Sequence, residues 1–283
     1  MWIRNPAEWG AAQIVATGHA MRSLGHALAH PDLDRASVTP VVNRISFADL
    51  RAALTEGFDD FLAFRDDVLF ICLIYPVAGF VIAEATGLAP LIFPLFAGFA
   101  LVGPFAAVWL YEMSRRREHG EAASWIEAFK SFGSPAAAAT FKLGLLLIGI
   151  FALWLVTAMK IYTATVGQEM PTSFASMVHD VFTTSAGWAL IFLGVGTGFL
   201  FALVVLSISV ISFPLLLDRR ISVGTAIATS IRAMRASPGP LLAWGFIVAS
   251  ALLLGMIPAM IGLVVALPVL GHATWHLYRK VVT

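Results

Sequence analysis

Of the 18 lysines and arginines in this chain, all but Lys160 fall in alternate connections between apolar runs of about 20 residues. An apolar run of that length spans a bilayer, and one-sided positive charge sets its direction. Six spans are predicted, at roughly 68–86, 89–112, 141–165, 186–217, 240–256 and 258–278. The fourth is long. As a straight helix it extends about 48 Å, against roughly 30 Å of hydrocarbon, so tilt or projection is expected. Gly255-Met256-Ile257-Pro258 interrupts the last apolar stretch and marks a tight hairpin.

The basic residues fall in four groups. Residues 1–67 carry six arginines. Arg115, Arg116, Arg117, Lys130 and Lys142 follow span two. Arg219, Arg220, Arg232 and Arg235 follow span four, and Arg279 and Lys280 end the chain. The connections after spans one and five are very short and carry neither residue type. Both termini are therefore predicted on the cytoplasmic side, with the spans paired as three hairpins. The composition agrees: 59% of residues are hydrophobic and 12% charged, where a soluble domain carries about a quarter charged residues. A net charge of +1 without a basic stripe argues against nucleic acid as a partner. The single cysteine, Cys72, has no intrachain disulfide partner.

Each cytoplasmic segment before a hairpin is expected to hold an amphipathic helix. The first, Ser46 to Phe64, is predicted to gather Phe47, Leu50, Leu54, Phe58, Phe61 and Leu62 on one face, with Asp49, Glu56 and Asp60 exposed. The second runs from Ser124 to Phe132 and the third from Ser222 to Arg235. Each opens on a serine suited to an N-cap. Ser46 with Asp49, and Ser124 with Glu127, have capping-box spacing.

The second spans of the outer hairpins align without a gap: Gly98 with Gly262, Pro104 with Pro268, Tyr111 with Trp275, Arg115 with Arg279. The middle hairpin ends similarly, on Pro214 and then Asp218-Arg219-Arg220. The fold class expected is all-α. It is a polytopic membrane helix bundle of three pseudo-repeats over residues 45–283, preceded by an N-terminal cytoplasmic extension, residues 1–44.

Four stretches carry a family resemblance. They are Gly98-Phe-Ala-Leu-Val-Gly-Pro104, Leu110-Tyr-Glu-Met-Ser-Arg-Arg116, Ser212-Phe-Pro-Leu-Leu-Leu-Asp-Arg219 and Leu267-Pro-Val-Leu-Gly-His-Ala-Thr-Trp-His-Leu-Tyr-Arg279. Together they resemble a bacterial integral-membrane family, domain of unknown function 2189, over roughly residues 45–282. The resemblance implies a protein of the bacterial cytoplasmic (inner) membrane with several spans. It implies no reaction, ligand or catalytic residue.

Candidate chemistry is sparse. His272 and His276 have the i, i+4 spacing of two helical metal ligands, but no Glu follows His272 as in the zinc proteases. An aromatic and basic belt beside Trp275, Tyr278 and Arg279 accounts for them equally. His19, His26 and His30 share a helical face, which suits a peripheral polar surface better than a metal or haem contact. No histidine lies mid-span, so no b-type haem, and no cofactor, is expected. Gly194, Gly196 and Gly198 mimic a dinucleotide loop inside a span, where close helix packing is their expected role. Glu84 and Lys160 lie near the sparsely charged side and either pair or reach water. Pro76, Pro90, Pro94, Pro104, Pro214, Pro258 and Pro268 interrupt spans, as in transporters and also in ordinary membrane helices.

Glu112, Asp218 and His276 end spans two, four and six, each within about a turn of Arg115, Arg219 or Arg279. If the three units surround one axis, these six form a polar cluster. Local anchoring at the span ends is the competing expectation. No nucleophile beside a base, phosphate loop or pair of mid-span aspartates is present, so an enzyme is not expected. The leading expectation is an accessory, assembly or scaffold component of a larger membrane complex, such as a respiratory one, with lipid and membrane-protein partners. The alternative is a permease or lipid-handling protein.

Overall fold

The helix Leu263–Val281 lies at the centre of the molecule, buried along most of its length. Its small residues explain that position. Gly271 meets the Leu110 side chain, and Ala273 meets Gly57 so closely that a Cβ on either glycine would collide with its neighbour. Small side chains let helices approach at backbone distance and gain dispersion contacts that lipid cannot replace.

The computed structural model describes residues 40–72, 103–105, 107–121, 135–167, 174–256 and 261–283. Among them lie nine helices: α1 (Phe47–Cys72), α2 (Val108–Glu118), α3 (Pro135–Thr165), α4 (Phe174–Thr183), α5 (Ser185–Ser209), α6 (Ser212–Asp218), α7 (Val223–Ala236), α8 (Pro238–Met256) and α9 (Leu263–Val281). No strand is present among the described residues. One isolated antiparallel bridge joins Val42 to Val282, flanked by Asn43 N–H to Val281 O at 2.8 Å and Thr283 N–H to Val41 O at 3.3 Å.

Three helical stretches are long and apolar enough to cross a membrane: Ala137–Thr165, Ser185–Asp218 and Pro238–Met256. Their outer surfaces carry Leu153 and Val156 on α3, Phe192 and Phe199 on α5, and Phe246 and Leu254 on α8, all exposed. Apolar exposure on this scale suits lipid and not water. The pairs α3/α5 and α8/α9 each pack together. Trp154 meets Phe201 at a tilt, with ring centroids 5.5 Å apart, and covers Gly198. Gly262 seats against the backbone of Gly255.

The serine caps form as the spacing predicts. The Ser46 N–H and hydroxyl both donate to Asp49 Oδ2, at 2.7 and 2.8 Å, and Asp49 N–H returns a bond to Ser46 Oγ at 3.4 Å. These bonds hold the Asp49 carboxyl below its usual range. Ser222 Oγ likewise accepts from Thr225 N–H at 3.1 Å and caps α7. Ser46→Ala is expected to cost about 1 kcal/mol, read as fraying of the first turn of α1 by amide hydrogen exchange.

Several expectations need correcting. Helix α1 does not stop near Phe64; it continues to Cys72, through the start of the first expected span. Its orientation also differs. Leu50, Ala53, Gly57, Asp60 and Phe61 are buried, Asp60 at only 4% exposure, whereas Phe47 (64%), Phe58 (46%) and Leu62 (48%) face outward. The face against α9 is thus the small-residue stripe Ala53-Gly57-Asp60, and the large apolar residues flank it. Helix α7 repeats this, burying Ala226, Thr229, Ser230 and Ala233 and leaving Val223, Ile227, Ile231 and Met234 half-buried.

The fourth expected span is not one straight helix. It breaks at Val210–Ile211 into α5 and α6. Pro214 supplies the cause, since it has no N–H to give the Val210 carbonyl and its ring crowds that group. At the break, the Ser230 hydroxyl accepts the Ile211 N–H at 3.4 Å. The connection between spans three and four, residues 166–185, holds a helix, α4, that the sequence pattern did not announce. The sixth span, expected from 258, is described as helical from Leu263 and is buried along most of its length. Of the three glycines that mimic a dinucleotide loop, only Gly198 packs closely; a Cβ on Gly194 or Gly196 would meet nothing within 4 Å.

The expected helix at Ser124–Phe132, residues Glu84, Gly98, Pro76, Pro90, Pro94 and Pro258, and the histidines at 19, 26 and 30 lie outside the described residues.

Candidate functional site: a polar seam among α1, α2, α6 and α9

Helices α1 and α9 run antiparallel and α2 and α9 parallel, as their contacts show: Glu56 meets Lys280 and Asp60 meets His276, while Ser114 meets His272 and Glu118 meets Arg279. The end of the bundle where α2 and α9 finish therefore collects charged side chains from four helices. They sort into three groups.

The first surrounds Asp60. Its Oδ2 accepts from the Ser114 hydroxyl at 2.6 Å and from His276 Nε2 at 2.9 Å, and its Oδ1 from Arg117 Nη1 at 2.5 Å. Burial alone pushes the Asp60 carboxyl up. The hydrogen bonds from His276 and Ser114 outweigh it and hold Asp60 below the usual carboxylate range. His276 Nδ1 faces Glu56 Oε2 at 3.2 Å, and Glu56 Oε1 accepts from Lys280 Nζ at 2.9 Å. The Arg117 guanidinium also lies over the Phe64 ring, 5.8 Å from its centroid.

The second group is local to α2. Glu112, almost fully buried, accepts a forked pair of bonds from Arg115 Nε and Nη2, each 2.8 Å, and one from Arg116 Nε at 2.8 Å. Hydrogen bonding to Glu112 raises the Arg115 guanidinium above its ordinary value. The third group joins α2, α6 and α9. Glu118 accepts from Trp275 Nε1 and from Arg279 Nε, both at 3.0 Å. Arg279 Nη1 lies 3.6 Å from Asp218 Oδ2, which also takes the Tyr278 hydroxyl at 2.5 Å and faces Arg219 Nε at 3.8 Å.

The six residues singled out from the sequence are therefore distributed. Asp218, Arg219 and Arg279 meet. Glu112 pairs with Arg115 on its own helix, and the Asp218 charge acts on Arg115. His276 joins none of these; its partners are Asp60 and Glu56 on α1. His272 and His276 share no partner atom either: His272 Nδ1 lies 2.8 Å from Ser114 Oγ, inside the bundle. Among the described residues, no group of three or more His, Cys, Asp or Glu side chains is placed to hold a metal ion. Lys160 is exposed on α3.

Sequence reasoning missed Asp60, Ser114, Arg117, Glu118 and Tyr278. For Asp60 one signal was available. It continues the small-residue stripe of Ala53 and Gly57 at helical spacing, and an acid on a close-packing face needs partners.

The architecture is that of an all-helical integral membrane protein. Residues 92–218 match the model of the family described as predicted integral membrane protein (DUF2189). This is the family that the motifs resemble. The matched segment contains the Gly98–Pro104 and Leu110–Arg116 motifs and all but the last residue of Ser212–Arg219, but not the C-terminal one. No curated protein and no solved structure matches the chain.

Proposed function

We propose that the chain is a six-span protein of the bacterial cytoplasmic membrane. In this reading it is not an enzyme but an accessory, assembly or scaffold component of a larger membrane complex, for instance a respiratory one. The observation that carries this reading is the state of the seam. Asp60, Glu112, Glu118 and Asp218 are each already held by cations or ring N–H groups of the same chain. The seam ties helices together and offers no acid free to act on a substrate. The described parts of α3, α5 and α8 contain no Asp, Glu or His, and the two histidines of α9, His272 and His276, are bonded to Ser114 and Asp60, which disfavours the permease reading, since a transport path needs polar groups at mid-membrane.

An even number of crossings has its own support. Val42 and Val282 pair directly, so the chain crosses the bilayer an even number of times between them. The three apolar stretches are an odd number. In this reading α9, the antiparallel return of α8, is a fourth crossing, and the first expected hairpin, most of it outside the described residues, adds two and keeps the number even. The pseudo-repeat is supported by α2 and α9. They run parallel and in contact, with Tyr111 and Trp275 both buried and Arg115 and Arg279 both on acids.

Reporter fusions test the topology. One at Gly167, a left-handed turn residue with φ of 107° just after α3, and one at the C-terminus are expected on opposite sides. The same side for both contradicts it. The scaffold role is tested by extracting the protein into native-lipid discs and weighing the assemblies by native mass spectrometry. A stoichiometric protein partner is expected. A lone chain that conducts a solute in proteoliposomes would establish the permease reading instead.

A further inference from the structure

Residues 219–283 contain six lysines and arginines and no aspartate or glutamate. Three of the six meet acids from elsewhere in the chain: Arg219 and Arg279 face Asp218, and Lys280 bonds Glu56. The other three, Arg220, Arg232 and Arg235, are exposed and face no acid among the described residues. Helix α2 shows the contrast, since its Arg115, Arg116 and Arg117 all lie on Glu112 or Asp60.

The place of α7 in the chain puts these arginines at the level of lipid headgroups. Only Arg219–Ser222 separate α7 from the end of Ser185–Asp218, and only Ser237 separates it from the start of Pro238–Met256. Both of those stretches are long and apolar enough to cross a membrane, so the helix that joins them lies at its surface. Three strips run along α7. Ala226, Ser230 and Ala233 are buried, Val223, Ile227 and Met234 form a half-buried apolar edge, and Gly224, Ala228, Arg232 and Arg235 face outward. A surface helix with an apolar edge beside a basic face lies in the plane of the headgroups. The Arg232 guanidinium is held through one nitrogen: Nη2 donates to Thr229 Oγ1 at 2.9 Å and to the Pro40 carbonyl at 3.3 Å. Its Nε and Nη1 donors stay open. Arg235, about one turn on along the same face, has no partner among the described residues. Like charges at this spacing repel, and an anion placed between them removes the repulsion.

We propose that α7 is a docking strip for anionic phospholipids. The Arg232 and Arg235 guanidiniums grip one headgroup phosphate, and Arg220 adds charge at the other end of the helix. Guanidinium N–H groups match phosphate oxygens in pairs, which suits this anion better than a point charge would. The occupant is a lipid and not an acidic protein segment, because Val223, Ile227 and Met234 form an apolar edge beside the arginines. Acyl chains cover such an edge and a purely acidic partner does not. This strip requires α7 to lie at the membrane surface; it goes beyond the scaffold reading and does not depend on it.

The test is native mass spectrometry of the full-length protein in detergent, titrated with phosphatidylglycerol and, separately, with phosphatidylcholine. Wild type is expected to bind phosphatidylglycerol more tightly. Each arginine beside an anionic lipid contributes a factor of about five, so Arg235→Gln should weaken that binding about fivefold and Arg232→Gln with Arg235→Gln about thirtyfold. Phosphatidylcholine binding should stay the same in both. Arg235→Gln breaks no hydrogen bond or ion pair of the fold, so its effect reads binding and not folding. Arg51→Gln with Lys160→Gln removes the same charge from exposed positions on α1 and α3 and should change little. Equal binding of the two lipids by wild type, unchanged phosphatidylglycerol binding in the Arg232 and Arg235 double variant, or equal losses in the two double variants would overturn the site. Displacement of the lipid by soluble glycerol phosphate at equal concentration would overturn the assignment to lipid.

Discussion

Asp60→Ala is expected to destabilise the packing of α1 on α9 by about 3 kcal/mol, the lower end of the range for breaking a buried charge pair. The substitution leaves the Ser114 hydroxyl and His276 Nε2 without their acceptor and Arg117 without its strongest partner. The lower end is appropriate because Arg117 is 44% exposed and water recovers part of its loss. Thermal unfolding in detergent, with amide exchange over residues 47–64, measures it. The pH dependence has a definite sign. The Asp60 carboxyl sits below its ordinary 3.8 when α1 is docked. Its contribution is therefore complete above about pH 4 and is lost as the pH falls through the docked-state value. Wild type should lose α1 protection on that acid limb, and Asp60→Ala should lack this component. Asp60→Asn should fall between the two, because an amide still accepts one bond.

Gly57→Leu is expected to be at least as damaging. The nearest neighbours of a Cβ at this position are the backbone and Cβ of Ala273, which cannot turn aside as a flexible side chain can. Overfilling a close-packed contact costs typically 1–3 kcal/mol, and a contact against backbone belongs at or above the upper bound. Helix α1 should swing away from α9 and carry Asp60 out of the seam. The measurable result is loss of amide protection in both helices and a lower melting temperature. Gly194→Leu is the matched control. It lies in a lipid-facing helix with open space around it and should change stability little.

The contrast between these two glycines shows what the sequence could reveal. Charge asymmetry and run length located α3, α5 and α8, because crossing hydrocarbon demands an uninterrupted apolar helix whatever its neighbours are. Ser46 and Ser222 announced helix starts, because a cap is a local bond over three residues. The rotation of α1 was not legible. An amphipathic pattern points large apolar residues inward only when the outside is water. Where lipid is available, Phe47 and Phe58 can face out and the interior goes to Ala53 and Gly57. The seam was legible only in part. His276, Asp218 and Arg279 stood out as polar groups at span ends. Asp60 is 54 residues from Ser114, and Ser114 is 158 from His272; only the docking of α1 beside α9 brings them together. The break at Val210–Ile211 was within reach, since Pro214 forbids a straight helix there.

The central claim is that the segment before α1 and the end of α9 meet on one face of the membrane, closing an even number of crossings. A double substitution, Val42→Cys with Val282→Cys in a Cys72→Ser background, tests it in intact membranes. The two valines are opposed in an antiparallel bridge whose hydrogen bonds flank them, a placement that suits a disulfide. The account predicts a crosslink under mild oxidation that yields an intramolecularly closed chain, with both single variants labelled from the cytoplasmic side only. Absence of the crosslink, with residues 42 and 282 labelled from opposite faces of the membrane, would contradict it.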